Sequence, residues 1–287
     1  MSDVGQIERH TQNRIVKLFT DESGLGYINL GNWEDNPNNN NIEELYLKKY
    51  LVNKACYTEV MASRAIYKLK AEANNADRNL YNNNKEVYKL LRYGVEVSEG
   101  PGERYQRIHF INWDEPEKNH FGIAEEVTFH GYREKRPDIV LYVNGIALVV
   151  LELKRSTVTI GNGIRQSIVN QQKQFIEEFF PTIQLVMAGN DTEGLRYGTM
   201  GTPEKCFLRW KEDEEDSSQL QLDKYLAKIC NKKRLLEIIH DFVLFDGGIK
   251  KLPRYHQYFG IKAAQEHVRR REGGIIWHTQ GSGKSIV

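Results

Sequence analysis

Three residues in the middle of the chain have types and spacing suited to cutting phosphodiesters. Arg136-Pro137-Asp138-Ile139-Val140 sets an acid at the mouth of an apolar strand, and Ala147-Leu148-Val149-Val150-Leu151 runs into Glu152-Leu153-Lys154. Alternate side chains of a strand share a face, so Glu152 and Lys154 point one way and Leu153 the other. Hydrolysis of a phosphodiester calls for carboxylates that hold Mg²⁺, which activates water and neutralises the charge developing on phosphate and leaving oxygen. Asp138 and Glu152 suit that task, and the backbone carbonyl of Leu153 offers a further oxygen ligand. The Lys154 ammonium can orient the attacking water or stabilise the phosphate. An isolated E-x-K is ordinarily the solvated face of an edge strand. Here a Pro-Asp turn, an Asn144-Gly145 turn and an apolar run strong enough to be buried surround it.

The spacing also constrains geometry. A hairpin with only Asn144 and Gly145 in its loop would pair 138 with 151 and send 138 and 152 to opposite faces. The chemistry therefore predicts either a longer loop, Asn144 to Ile146, or a bulge that brings Asp138 opposite Glu152.

A second chemical motif lies near the end of the chain. Gly274-Ile275-Ile276-Trp277 reads as a short strand, followed by His278-Thr279-Gln280-Gly281-Ser282-Gly283-Lys284-Ser285. This is the pattern of a phosphate loop. Gly281, Ser282 and Gly283 let backbone N–H groups turn around phosphate oxygens, Lys284 reaches the terminal phosphates, and the Ser285 hydroxyl ligates the Mg²⁺ that accompanies ATP. The strict pattern has glycine where this chain has His278, and the run from Thr279 onward resembles superfamily 2 helicases. Upstream, Leu252 to Phe259 resembles the segment in which those helicases use a glutamine to read adenine, which makes Gln257 the candidate. A Gly-rich turn is the competing reading of the loop. A working phosphate loop needs its following helix and a second acidic motif. The residues present are therefore expected to be a fragment with negligible ATPase activity.

Periodicity predicts the elements that position these groups. An opening helix spans Gln6 to Phe19 and a second helical stretch Glu43 to Lys70, with Asn74 to Asn75 and Asn82 to Asn84 as interruptions. Strands are expected at 105–112, 124–129, 138–143, 147–153, 183–188 and 206–210. A helix is expected from Gly163 to Phe180 and helices over 221–242. Gly247-Gly248 and Pro253 read as a linker, dividing the chain into a nuclease domain, 1–245, and the start of a second domain, 246–287. Lys211 to Asp216 reads as a solvated acidic loop, and the basic helix Ile261 to Arg271 as either a DNA-backbone contact or a solvated helix end.

Composition bounds the rest. With 287 residues, 40% hydrophobic and 28% charged, the chain can bury a sizeable core; its net charge of +1 means that any basic DNA-facing surface must be local. Cys56, Cys206 and Cys230 are scattered and odd in number, which fits reduced structural thiols. His109, His120 and His130 lack ligand spacing, so no zinc is expected. No apolar run is long enough to span a bilayer, and a soluble, cytoplasmic protein with no membrane partner is expected.

Asp138, Glu152 and Lys154 resemble the PD-(D/E)xK nuclease superfamily, and the run EKNHFGIAEEVTFHGYREKRPDIVLYVNGIALVVLELKRS resembles the N-terminal region of type I restriction enzyme R subunits. That resemblance implies an α/β fold: a restriction-endonuclease-like mixed β-sheet flanked by helices, followed by the start of a RecA-like helicase domain. It implies Mg²⁺ as cofactor, with ATP in the full-length protein, and double-stranded DNA as substrate. It also implies partner methyltransferase and specificity subunits, S-adenosylmethionine entering only through the methyltransferase. In that family a Q-x-x-x-Y motif follows the E-x-K strand. Gln166 matches its first position, and Asn170 stands where tyrosine is expected. Residues i and i+4 share a helix face, so the two amides can contact DNA backbone or the catalytic lysine, a capped or solvated amide pair being the alternative. Glu8 is the candidate for the family's additional acid. Two other functions fit the same residues: a different nuclease-helicase fusion in repair or defence, and a docking or DNA-binding module that is silent in isolation.

Overall fold

The computed structural model of the protein describes residues 3–212, 219–277 and 282–283, with side chains from residue 9 onward. Helix α1 (Asp3–Thr20) leads into β1 (Ile28–Asn32), and α2 (Glu44–Asn53), α3 (Glu59–Ala73) and α4 (Leu80–Tyr93) follow. A small hairpin, β2 (Val95–Val97) and β3 (Gln106–Ile108), precedes the central strands β4 (Phe121–Glu125), β5 (Ile139–Val143) and β6 (Ile146–Leu153). Then come α5 (Ile160–Asn170), β7 (Leu185–Asn190), β8 (Gly194–Gly198), α6 (Gln221–Ile229), α7 (Lys232–Phe242), the hairpin β9 (Leu244–Asp246) and β10 (Ile249–Lys251), and α8 (Tyr255–Arg269).

Six of these strands form a mixed sheet in the order β1-β4-β5-β6-β7-β8. The β1–β4 and β6–β7 pairs are parallel and the others antiparallel. Every residue of β5 and β6 is buried, which explains their unbroken apolar runs: a strand covered on both faces gains nothing from polar alternation. Ile139, Leu141, Val149 and Leu151 face the cluster that includes Phe19 of α1 and Leu51 of α2. Val140, Tyr142 and Val150 face a second cluster with Phe179, Phe180 and Ile183. The expected mixed sheet flanked by helices is thus the fold of the chain. No helix among the described residues is long and apolar enough to cross a membrane.

Several elements differ from expectation for identifiable reasons. The stretch Glu43 to Lys70 is two helices, because Cys56 adopts φ 58° between them and the Thr58 side chain caps α3 by accepting from Met61 N at 3.3 Å. Asn82 to Asn84 lie inside α4 instead of breaking it. Asn79 caps that helix, and the buried Asn84 Nδ2 donates to the carbonyls of Phe180, Pro181 and Ile183 at 3.1, 3.0 and 2.8 Å. The helix expected from Gly163 to Phe180 ends at Asn170, and residues 206–210 contribute one bridge, Leu208 to Tyr197, in place of a strand. Cys230 is buried, but Cys56 and Cys206 are exposed, so only the first is structural. In the acidic loop Glu212 is an anchor, accepting from Trp210 Nε1 at 2.8 Å and pairing with Arg234.

Gly247 and Gly248, read as a linker, form the turn between β9 and β10, with φ of 55° and 83°. The hairpin is docked by Lys250, 3% exposed, whose Nζ donates to Asn84 Oδ1 at 2.8 Å and Gln184 Oε1 at 2.7 Å. Burial pushes that amine well below its ordinary pKa. Tyr258 of α8 then packs against Phe242 and Trp210. The β9–β10 hairpin and α8 are thus joined to the main core.

Candidate active site

The β5–β6 hairpin builds the site. Asn144 and Gly145 have φ of 53° and 85°, the backbone of a tight two-residue turn. Val143 pairs with Ile146 and Tyr142 with Ala147, but Leu141 then pairs with Val149, leaving Leu148 as a bulge. The extra residue restores the register that the chemistry requires: Ile139 opposes Leu151, and Asp138 and Glu152 are the next pair outward. Of the two alternatives, the structure holds the bulge and not the longer loop.

Asp138 Oδ2 accepts from the backbone N–H of Leu153 at 2.6 Å, which ties the acid to the strand it must act with. Lys154 Nζ lies 3.7 Å from the same oxygen and donates to the Leu153 carbonyl at 2.8 Å. Glu152 is fully buried. Its oxygens accept from Gln166 Nε2 at 2.8 Å and Asn170 Nδ2 at 3.4 Å, both on the same face of α5. The sequence-predicted residues Asp138, Glu152, Lys154, Gln166 and Asn170 therefore converge, with the two amides orienting a carboxylate in place of the solvated alternative.

Helix α5 can come this close because of Gly163. A Cβ there would meet Ala188 Cβ at 3.2 Å, Lys154 Cγ at 3.4 Å and Glu152 Cβ at 3.6 Å. Burial first, and then the charge of Asp138, hold the Glu152 carboxyl well above the ordinary carboxylate range, with Lys154 opposing them.

Glu126 was not anticipated. It has φ 49°, its N–H donates to the Asp138 carbonyl at 2.9 Å, and its carboxylate pairs with Arg136 Nε at 2.9 Å and Arg9 at 3.9 Å. It thereby pins the backbone at Asp138 and adds to the negative field at Glu152. The Glu125-Glu126 pair carried no periodicity or spacing that would have separated it from surface acids. Gln12 of α1 donates to Glu125 at 3.1 Å; Glu8, four residues earlier on that helix, has a side chain outside the described residues.

The donor set fits a hard divalent cation. Two carboxylates and a carbonyl are all oxygen ligands, as Mg²⁺ prefers, and the buried Asn170 Oδ1 beside Glu152 has no hydrogen-bond partner. Among the described residues no group of three His, Cys, Asp or Glu side chains could hold a metal, so the carbonyl of Leu153 and water would complete the shell of Asp138 and Glu152. None of His109, His120 and His130 belongs to such a group.

In the phosphate loop, Thr279, Gly281, Lys284 and Ser285 lie outside the described residues. Gln257 Nε2 donates to the carbonyls of Ser282 and Gly283 at 3.3 and 3.1 Å, and its Oε1 accepts from Arg254 N at 2.8 Å. Gln257, Ser282 and Gly283 are thus together, the glutamine bridging the start of α8 to the loop. Residues 272–277, expected to contain a strand, have no strand pairing, and Ile275 and Trp277 are exposed. Arg269 and Arg270 at the end of α8 share Glu266, and Lys262 pairs with Glu237 of α7, so part of that basic run is taken up in ion pairs.

The family model described as type I restriction enzyme R protein N terminus matches residues 6–205, and a SWI2/SNF2 ATPase model matches residues 256–287. The chain is 30% identical over 71% of its length to the type I restriction enzyme HindI endonuclease subunit of Haemophilus influenzae, covering 21% of that protein. It is 25% identical over 59% of its length to a type I restriction enzyme endonuclease subunit of Staphylococcus aureus, covering 19%. The chain spans about a fifth of the length of these curated relatives. With a family match running through the bulged hairpin and the helix that orients Glu152, the chain belongs to the family of type I restriction enzyme R protein N-terminal regions.

Proposed function

We propose that this chain is the nuclease-bearing portion of the endonuclease and translocase subunit of a type I restriction-modification system, cutting double-stranded DNA with Mg²⁺. The observation that carries the reading is the bulged register that sets Asp138 opposite Glu152, with Lys154 3.7 Å from Asp138. Mg²⁺ held by Asp138, Glu152 and the Leu153 carbonyl would supply an activated water and neutralise the charge that builds on the phosphate. The protein's own residues do the rest. Gln166 and Asn170 fix the Glu152 rotamer, and the Leu153 N–H fixes Asp138. Lys154 now occupies the Leu153 carbonyl; on leaving it, the ammonium becomes a donor for the water or the phosphate oxygens.

Residues 1–245 form the endonuclease domain in this reading, and 246–287 the start of an ATP-driven motor domain. In the full-length protein Gln257, Thr279, Gly281, Ser282, Gly283, Lys284 and Ser285 hold ATP and its Mg²⁺. Methyltransferase and specificity subunits supply sequence recognition, S-adenosylmethionine serves only the methyltransferase, and the assembly works in the cytoplasm. These 287 residues alone turn over no ATP, which a steady-state phosphate-release assay checks.

The deciding experiment is nicking of supercoiled plasmid with Mg²⁺ or Mn²⁺ by the native chain and by Asp138→Ala, Glu152→Ala and Lys154→Ala. Cleavage by the native chain lost in all three supports the proposal. Cleavage retained in any of the three assigns the chemistry elsewhere. An inactive native chain calls for the same variants in the assembled complex.

A further inference from the structure

A cleft of about 1130 Å³ opens beside α2 at the end of the sheet remote from Asp138. The strands give the separation. β4 and β5 pair Phe121 with Val143 at the cleft end and Glu125 with Ile139 at the carboxylate end, four steps or about 14 Å at a strand's rise per residue. The cleft is therefore distinct from the nuclease site.

Its lining combines cations with aromatic rings. Lys49, Lys54, Arg92, Lys118 and Lys232 line it against only two carboxylates, Asp114 and Glu117. Lys118 pairs with Glu115 and Lys232 with Glu117, whereas Lys49 and Lys54 are exposed with no carboxylate partner among the described residues. In a chain of net charge +1 this is a local concentration. Helix spacing puts Tyr46, Lys49, Tyr50 and Asn53 on one face of α2, turned to the cleft. Tyr46 lies against His120 with ring centroids 6.1 Å apart, and Trp113 against His240 at 4.9 Å. Burial, with Lys49 adding to it, lowers the His120 pKa.

We propose that this cleft binds a single-stranded stretch of nucleic acid, its phosphates against Lys49 and Lys54 and its bases stacked on the rings of Tyr46 and Trp113. Alternating ammonium groups and aromatic faces are the chemistry that tracks an unpaired strand. A concavity on the scale of a ligand pocket admits splayed bases, while a duplex keeps its bases stacked and offers this cleft only backbone. The proposal goes beyond the nuclease reading and stands apart from it, because its test needs no metal and no cleavage.

The test is fluorescence anisotropy of a labelled oligothymidylate with the full 287-residue chain in EDTA at low salt. Lys49→Ala/Lys54→Ala should weaken binding about tenfold and lower the slope of log affinity against log salt by about 1.4, at ~0.7 per phosphate contact on a single strand. Tyr46→Ala should weaken binding at least about fivefold with the salt slope unchanged. Lys68→Ala/Lys173→Ala, which removes the same charge from exposed positions outside the cleft, should leave both nearly unchanged, and circular dichroism checks folding of each variant. The proposal is overturned by any of four results: no binding by the native chain; an equal loss in the control pair; displacement by thymidine monophosphate at equal phosphate concentration; or equal affinity for a duplex of the same length with Tyr46→Ala without effect.

Discussion

At the residue scale, Glu152 sets the terms. A carboxylate with no solvent contact, facing a second acid, is costly to ionise, and a bound cation would offset that cost. Because its folded pKa is raised, the stability it contributes is present below the ordinary carboxylate range and lost as pH rises through the raised value. Glu152→Gln removes that loss: its amide can donate to Asp138 while its oxygen accepts from Gln166. We expect a thermal midpoint raised by about 2–4 °C above the carboxylate range, equivalent to roughly 1 kcal/mol in a domain of this size, and no gain at acid pH. Cleavage should fall at least about a hundredfold. Calorimetry in EDTA at two pH values and the plasmid assay read the two effects separately. The amides differ in weight. Gln166 donates at 2.8 Å and Asn170 at 3.4 Å, so Gln166→Ala should lower the cleavage rate several times more than Asn170→Ala, which also removes an unpaired buried oxygen and should cost under about 1 kcal/mol in denaturant titration.

At the element scale, the hairpin turn and the bulge carry the site. Gly145 has φ 85°, and a Cβ there would meet Glu43 O, Leu47 N and Tyr46 Cβ at 2.8 Å each. Gly145→Ala should therefore cost at least about 2 kcal/mol, from strain and displaced α2 together, in urea unfolding. The acids of this hairpin were legible in the sequence, because the need to bring Asp138 and Glu152 to one face demanded a bulge or a longer loop. The short strands β1 and β8 were not: β1 is half exposed and β8 is bracketed by glycines, so neither shows a strand's alternation. Glu126 escaped because its importance lies in a backbone bond to Asp138, which no side-chain pattern announces.

At the scale of the whole molecule, the question is how the C-terminal segment joins the rest. A Gly-Gly pair reads equally as a linker or as a hairpin turn, and the buried amine of Lys250, which docks the hairpin, distinguishes them. Its depressed pKa means that the folded state holds fewer protons than the unfolded chain below lysine's ordinary value. Lys250 thus contributes stability that is present above that value and lost as pH falls through the depressed one. Lys250→Met leaves the oxygens of Asn84 and Gln184 without their donor, and should destabilise the protein by about 1–3 kcal/mol while flattening its stability profile on the alkaline side. Denaturant titration across pH checks both. Truncation after Asp246 should be worse than the point substitution, because it also uncovers Phe242 and Trp210, the rings against which Tyr258 packs.

The same docking gives α8 a mechanical character. Its root is clamped by Tyr258, and by Lys262 paired with Glu237 of α7, while its far end extends into solvent. The seven residues of α8 beyond Lys262 make an arm of about 10 Å, so a tilt of about 5° at the clamp sweeps the tip through roughly 1 Å. Because Tyr258 packs on Trp210 and the Tyr197 hydroxyl of β8 donates to the Pro253 carbonyl at 2.7 Å, a pull on the tip bears on that ring pair and on β8.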